Sequence, residues 1–561
     1  MSIIKNKKFL SIAILFAIIV LPAFIYLTIK AKQVNSWDNW WFGSAQTMST
    51  VRFWAKDGFI KHKFLFITQG YHPQIEFLDK PEFRFLVRGT ETGGLIGKRL
   101  WYTHYPPGYL IPYGLLAKFG AEQRFWFRLL ALCFSFASLI FMFGFVYLIA
   151  ERNKWIALLA LFYYSTSTTF LAYADSLNNT PVDDFLKWLI LFLSIYAVKK
   201  ITDQKLKSRY EKIIWFLFFL LAISSFDSTF FVFFWLCAVS YLNTPIPGVT
   251  RWYKRIFAKQ NIKKYFFWAS APIVAFFLQV AQNTWYLGFK DMLLDFKGAL
   301  LYRAGEMPLA VSHFPPIIKN LANGLAATGF FTDLRTRMAL PIILAIIYCL
   351  YKRKKFSTAL SHYIAIFSVS GLIFGFIFPV AGIFGYQGRQ MAPVLLLIIA
   401  IATYEIILML RKLEMKKMGI ILAVLVLIIW FAHFKATSAY VKQWPNNAVA
   451  MEKIQYWKTL NQITETNTII LNINKNVGSE YFLEGFYTDR LILSFEDLDT
   501  LLQYMNKINL EFSDKGNFLL ILPKEYEKTA INSIQTNGYN IEIKSNSNLQ
   551  DNLIYIHAFH Y

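Results

Sequence analysis

The sequence predicts a polytopic α-helical membrane protein of about eleven spans, followed by a small α/β domain. Three observations carry this. Of the 561 residues, 56% are hydrophobic and only 16% are charged, which leaves too little polar surface for a soluble chain of this length. Apolar runs of membrane-crossing length recur along the chain, bounded by basic clusters. Near residue 435 those runs stop and short β-like and helical segments begin to alternate.

Spans are expected near 9–29, 124–149, 155–174, 183–198, 211–224, 228–242, 264–283, 338–352, 358–379, 390–411 and 417–434. The pair around "ISSFDSTFF" reads either as two helices or as one helix with a break. Charge sets the orientation. With the N-terminus inside, the short internal segments are rich in Lys and Arg, and their acids are Glu151, Asp203, Glu211 and Glu414. "TRWYKRIFAKQNIK" carries no acid at all. The net charge of +24 thus reports an inside N-terminus, an outside C-terminus and contact with anionic lipid; nucleic acid is a poor explanation. The first span is read as a retained anchor, because its apolar run is long for a signal peptide and no small-residue cleavage site comes after it. Cys133, Cys237 and Cys349 all fall within spans, so neither a disulfide framework nor a cysteine metal site is expected.

This topology gives a membrane domain over residues 1–434, with external segments at 30–123 and 284–337, and an extra-cytoplasmic α/β domain over 435–561. In the last, "NTIILNIN", "RLILSF", "NFLLILP", "YNIEIK" and "NLIYIHA" read as strands. "FEDLDTLLQYMNKI" and "KEYEKTAINSIQTNG" read as helices between them. No phosphate loop or nucleophile triad stands out there, and a cap or docking role is the plain reading.

The first external segment is long and aromatic, the signature of a functional loop rather than a disordered one. Trp37, Trp41, Ala45 and Met48 follow helical spacing, which predicts an amphipathic helix on the outer membrane surface with tryptophans at headgroup level. Asp38 lies on another face of that helix. "YPPGYLIPYGLLAKFG" predicts a second interfacial helix, started by a Pro pair and too short to span.

The order of these features is "WDNWWFGSAQTM", a long loop, "YPPGYLIPYGLLAKFG", "FRLLAL", a basic turn and "FLAYADSLNNTPVDDFLKWL". It resembles the GT-C membrane glycosyltransferases, notably the aminoarabinose transferases of lipid A and the protein O-mannosyltransferases. The resemblance covers residues 9–200 by motif and the later spans by layout, with "YQGRQMAPVLLLI" matching a basic residue ahead of a proline-started span. It implies an enzyme that moves a sugar from a polyprenyl-phosphate donor to a hydroxyl of a lipid, glycan or protein acceptor, outside the plasma membrane. Membrane lipids are the remaining expected partner.

The residue types suit that chemistry. An acceptor hydroxyl needs a base as it attacks the anomeric carbon, and a departing lipid phosphate needs a cation or metal near its growing charge. By motif, the resemblance assigns the base to Asp38, where an N-cap role is the structural alternative. Asp175 is the first choice for the second acid, with Asp183 and Asp184 as alternatives, because Thr180 stands before Pro181 where the family has an acid. Tyr105 stands where the family often has Lys or His, with His104 one position earlier. Both are taken as substrate contacts, together with Arg128 and Arg389. Asp227 reads as part of a turn. No Asp-x-Asp stands at Asp38, so a metal-independent, inverting reaction is expected, with Mg²⁺ or Mn²⁺ at "VDD" as the alternative. From other classes, a lipid or solute transporter and a surface-glycan polymerase or ligase remain the rival readings. A transporter would show broken spans and internal symmetry instead of polar residues gathered in one loop.

Overall fold

The structure, a computed structural model, describes residues 2–33, 37–39, 41–67, 69–86, 100–243, 256–304, 358–378, 386–412, 431, 434–435, 438–439, 441–442, 451–473, 481–495, 497–511, 517–522, 527–536, 540–545 and 552–557. The chain opens with α1 (Ser2–Lys32), a long apolar helix. Leu10, Ile14, Ile18, Leu21, Ile25 and Ile29 form an exposed stripe along it, while Ala23, Leu27 and Ala31 are buried. An apolar stripe left open on a well-packed helix is what lipid would cover. Next come α2 (Trp41–Asp57), the antiparallel pair β1 (Phe66–Ile67) and β2 (Trp101–Tyr102), and α3 (Leu110–Lys118). At nine residues, α3 is far too short to cross about 30 Å of hydrocarbon.

The bundle continues with α4 (Arg124–Ile149), α5 (Lys154–Ser165), α6 (Thr168–Tyr173), α7 (Thr180–Lys200), α8 (Gln204–Ala222), α9 (Phe226–Asn243), α10 (Lys259–Leu287) and α11 (Phe289–Arg303). After them are α12 (Thr358–Ile377) and α13 (Tyr386–Lys412). Side-chain caps set several boundaries: Asn153 for α5, Ser167 for α6 and Asp203 for α8; such oxygens satisfy amide groups that have no partner in the first turn. Among the described residues, four helices are long and apolar enough to cross a membrane by length and composition, at Leu10–Lys32, Arg124–Ile149, Lys259–Leu287 and Arg389–Leu410.

Of the expected spans, 338–352 lies outside the described residues, as does all of 417–434 except Phe431 and Phe434. One expectation changes, and one open alternative is decided. The single span expected over 155–174 is broken into α5 and α6. Thr166 Oγ1 donates back to Phe162 O at 2.8 Å and Ser167 Oγ to Tyr164 O at 2.8 Å, hydroxyl bonds that compete with the helix ladder. The "ISSFDSTFF" stretch resolves as two helices, with Ser224 and Ser225 at the turn between α8 and α9.

The first external helix also differs from its expected form. It starts at Trp41, so Trp37 lies before it. Ala45 and Met48 are buried, but so are Ser44, Thr47 and Thr50 on its other faces. The helix is enclosed between α3 and the C-terminal part of the chain, which no local periodicity announces. Trp37 is buried too, and its Nε1 donates to Tyr487 Oη at 2.8 Å.

After residue 450 stand α14 (Met451–Ile463), β3 (Ile469–Ile473), α15 (Tyr481–Thr488), β4 (Ile492–Phe495), α16 (Leu498–Glu511), β5 (Asn517–Leu522), α17 (Glu527–Thr536), β6 (Asn540–Ser545) and β7 (Asn552–His557). The sheet order is β4-β3-β5-β7-β6, parallel across its first three strands and antiparallel at β5–β7 and β7–β6. Ile469, Leu471, Leu493 and Phe518 of this sheet share one core with Phe53, Ile67, Leu78 and Trp101 of the first loop. Backbones meet at Gly70, where an added Cβ would lie 1.8 Å from Arg490 O. Only glycine fits there.

Candidate active site

The buried acids and bases of the bundle, among them Lys30, Arg128, Asp175, Asp183, Lys187 and Asp227, gather at one end of it. That end is formed by the close of α1, the starts of α4, α7, α9 and α13, and the turns after α6 and α8. Three connected groups stand there.

The first joins Lys30, Asp38, Asn39, Arg128 and Asp175, all buried. Lys30 Nζ lies 2.9 Å from Asp175 Oδ1, 3.0 Å from Asn39 Oδ1 and 3.4 Å from Leu171 O. Arg128 closes on the other oxygen of Asp175, through Nε at 3.1 Å and through Nη2. Ser44 hydrogen-bonds Asp38 and also accepts the Leu177 amide at 3.0 Å, tying the loop before α2 to the turn after α6.

The two carboxyls of this group are driven apart. Burial, then the charge of Asp175, raises Asp38 above the ordinary carboxylate range, against the opposing pull of Arg128 and Lys30. Burial would raise Asp175 as well, but the Arg128 and Lys30 charges and hydrogen bonds outweigh it and hold the carboxyl low. Neighbouring acids separated in this way differ in basicity, one held as an anion and the other the stronger base.

The second group centres on Asp227, in the first turn of α9. Its Oδ1 accepts from Ser225 Oγ at 2.7 Å and Tyr105 Oη at 3.3 Å; its Oδ2 accepts from Arg389 Nη2 and Gln390 Nε2, each at 3.4 Å. Asn179 Nδ2 donates to Tyr105 Oη at 2.6 Å, and Arg389 Nη1 reaches Thr180 Oγ1. Asp183 accepts from Ser228 Oγ at 2.6 Å, while Asp184 accepts from Lys187 Nζ at 2.6 Å. Gly108 holds this group to the first loop: its amide donates to Ile223 O at 2.8 Å, and an added Cβ would sit 2.4 Å from that oxygen.

The third group holds His104. Its Nε2 lies 2.8 Å from Asp295 Oδ1, whose partner oxygen accepts from Thr103 Oγ1 at 2.5 Å. Arg303 Nη2 donates to His104 O at 2.7 Å. His104 therefore faces α11, and Tyr105 faces α9.

The structure thus gathers Asp38, Asp175 and Arg128 in one knot, places Tyr105 and Arg389 together in a second, and sets His104 in a third. In the sequence Lys30 is only the flank of a span, Asp227 only part of a turn, and Asn39, Asn179, Gln390 and Asp295 carry no signal. A lysine in the last turn of a span usually snorkels to the headgroups, so Lys30 gives no local sign of its partner. Among the described residues no group of three or more His, Cys, Asp or Glu is placed to hold a metal ion.

The chain shares its fold with solved GT-C membrane glycosyltransferases, and its long apolar helices fit a multi-pass membrane protein. Two crystal structures of ArnT, the aminoarabinose lipid A transferase, from Cupriavidus metallidurans carry it. The form bound to undecaprenyl phosphate superposes with a TM-score of 0.54 at 9% identity, over 96% of this chain and 97% of that one. The apo form superposes with a TM-score of 0.52 at 10% identity, over 97% of each. The archaeal oligosaccharyltransferase AglB from Archaeoglobus fulgidus, in complex with an inhibitory peptide and a dolichol-phosphate, aligns with a TM-score of 0.48 at 11% identity, over 98% of this chain and 74% of that one. No protein-family model and no curated protein matches the sequence.

Proposed function

We propose that this chain is a glycosyltransferase that moves a sugar from a polyprenyl-phosphate donor to a hydroxyl of a lipid, glycan or protein acceptor. The reaction is assigned to the extra-cytoplasmic side of the plasma membrane. The observation that carries the reading is Asp38, fully buried at the polar end of a GT-C fold and raised by its surroundings. A carboxylate of raised basicity is suited to take the acceptor proton as the hydroxyl oxygen attacks the anomeric carbon. The bond from that carbon to the phosphate oxygen breaks, and the lipid phosphate leaves with the electron pair. A single displacement inverts the centre.

Asp175 acts in this reading as a positioning residue. It orients Arg128 and Lys30, whose charges balance a group that would otherwise repel an anionic donor. Arg389 is the cation best able to meet the phosphate, since its guanidinium stands at the same end and is less buried than Arg128. Tyr105 braces Asp227 and through it Arg389, and His104 anchors α11 beside the loop. The described sheet after residue 450, which shares a core with the first loop, is assigned to the same external face. The orientation rests on the Lys and Arg bias of the opposite end. The reading needs no metal ion, and Mg²⁺ or Mn²⁺ remains testable by chelation.

The test is transfer from a polyprenyl-phosphate sugar by the purified protein and by Asp38→Asn, with thermal stability in detergent as the folding control. Loss of transfer by a well-folded variant supports the reading. Normal transfer by that variant removes Asp38 from the mechanism.

A further inference from the structure

The opposite end of the bundle carries a feature that the proposed reaction does not use. There the starts of α8 and α10 border a cavity of about 390 Å³, lined by Glu211, Lys212, Gln260, Lys263, Lys264 and Phe267. The two helices are fastened together deeper in, where Trp215 Nε1 donates to Ser270 Oγ at 2.8 Å. Glu211 neutralises Lys264 at 2.5 Å. Lys212 and Lys263 are exposed, and neither has an ion-pair partner among the described residues. The first turn of α10 opens beside them with no side-chain cap from Ala258, so its amide groups add to the positive potential.

Beyond the two lysines the surface turns apolar. Residues three and four apart share a helix face. One turn past Lys212 stands Phe216, 54% exposed, and one turn past Lys263 stands Phe266, 70% exposed. Ile213 is 49% exposed beside them. Each of these cations therefore gives way, along its helix and into the bundle's depth, to an open apolar surface.

We infer that this cavity binds the headgroup of an anionic phospholipid, with its acyl chains lying along Phe216 and Phe266. The two lysines match the phosphodiester charge, and basic pockets between spans suit such headgroups. A free phosphate would satisfy the lysines and leave the apolar continuation without a role, so the lipid accounts for both halves of the surface.

The test is native mass spectrometry of the purified full chain in detergent, titrated with phosphatidylglycerol, phosphatidylcholine or inorganic phosphate. Phosphatidylglycerol should bind well above phosphatidylcholine, and Lys212→Gln/Lys263→Gln should weaken it roughly thirtyfold, given the contribution of two lysines near an anionic surface. Lys290→Gln/Lys297→Gln, which removes equal charge from the exposed side of α11 at the other end, should leave binding within about twofold, because screened charges that far apart barely interact. Equal binding of the two lipids, unchanged affinity in the Lys212/Lys263 variant, or an equal loss in the Lys290/Lys297 variant overturns the inference. Displacement of phosphatidylglycerol by equimolar inorganic phosphate would make the site one for free phosphate and would overturn it too.

Discussion

Lys30 at the end of α1 and Asp175 after α6 form an ion pair of 2.9 Å, with both side chains buried. Arg128 binds the other oxygen of the same carboxylate. One anion thus holds two buried cations from two helices, and losing it takes from both their directly bonded carboxylate. Asp175→Asn should lower stability by about 3–5 kcal/mol, the usual cost of breaking a buried pair. Asp38→Asn should cost far less, since burial already disfavours the Asp38 charge. Thermal unfolding in detergent compares the two, and equal midpoints would mean the pair bears little of the fold's stability.

Activity should rank the same two variants differently. Asp38→Asn keeps the shape of the side chain but cannot accept a proton, so turnover should fall roughly a hundredfold or more. Donor affinity should hardly move, because the phosphate contact is assigned to Arg389. The measurement is kcat and donor KM side by side; a loss confined to KM would make Asp38 a binding group instead.

The pH profile is set by the environment of Asp38. Burial and the Asp175 charge both raise it, so the acid limb of kcat should lie above the ordinary carboxylate value of about 4. In Asp175→Asn one raising charge is gone, and Arg128 and Lys30 act on Asp38 without opposition. The limb should then move to lower pH in whatever activity the variant retains. A shift to higher pH, or none, would assign that limb to another group.

Arg389→Ala should weaken use of the lipid-phosphate donor more than Arg389→Lys does. A guanidinium can hold two phosphate oxygens while still bonding Asp227 and Thr180, whereas an ammonium acts as a point charge. Donor titrations read this as a graded rise in KM. Identical curves for wild type and the Ala variant would sink the role.

His72 links the first loop to the chain near Asn467, and burial pushes its imidazole down to about 4. The group therefore favours the folded state when neutral. That stability is fully present above about 6.5 and is lost as pH falls through 4, with a ceiling on the order of 3 kcal/mol. His72→Gln should flatten the acid side of the stability curve between those values. An unchanged curve would place the acid sensitivity elsewhere.

Much of the architecture is legible along the chain because it rests on local or compositional rules. Nine of the expected spans fall on described helices, since apolar length and flanking charge are read residue by residue. All five β-like runs after residue 435 are strands, from Ile469–Ile473 to Asn552–His557, because β-branched and apolar alternation is also local. The helices at Met451–Ile463 and Tyr481–Thr488 are not among the expected elements. The second is too short for its pattern to speak, and it is a helix through packing against α2 and α14.

Local rules thus suffice for the membrane-spanning class, the orientation bias, the sheet-forming segments and the prominence of Asp38 in an aromatic loop. Each depends on residues a few positions apart. Folding in three dimensions was needed to pair Asp175 with Lys30 and Arg128, to set Arg389 against Asp227 and Thr180, and to bury Trp37 on Tyr487 instead of facing it to lipid. Those contacts join residues 47 to 450 positions apart. A buried charge accepts whatever partner the fold delivers, because the cost of leaving it unpaired is large and does not depend on distance along the chain.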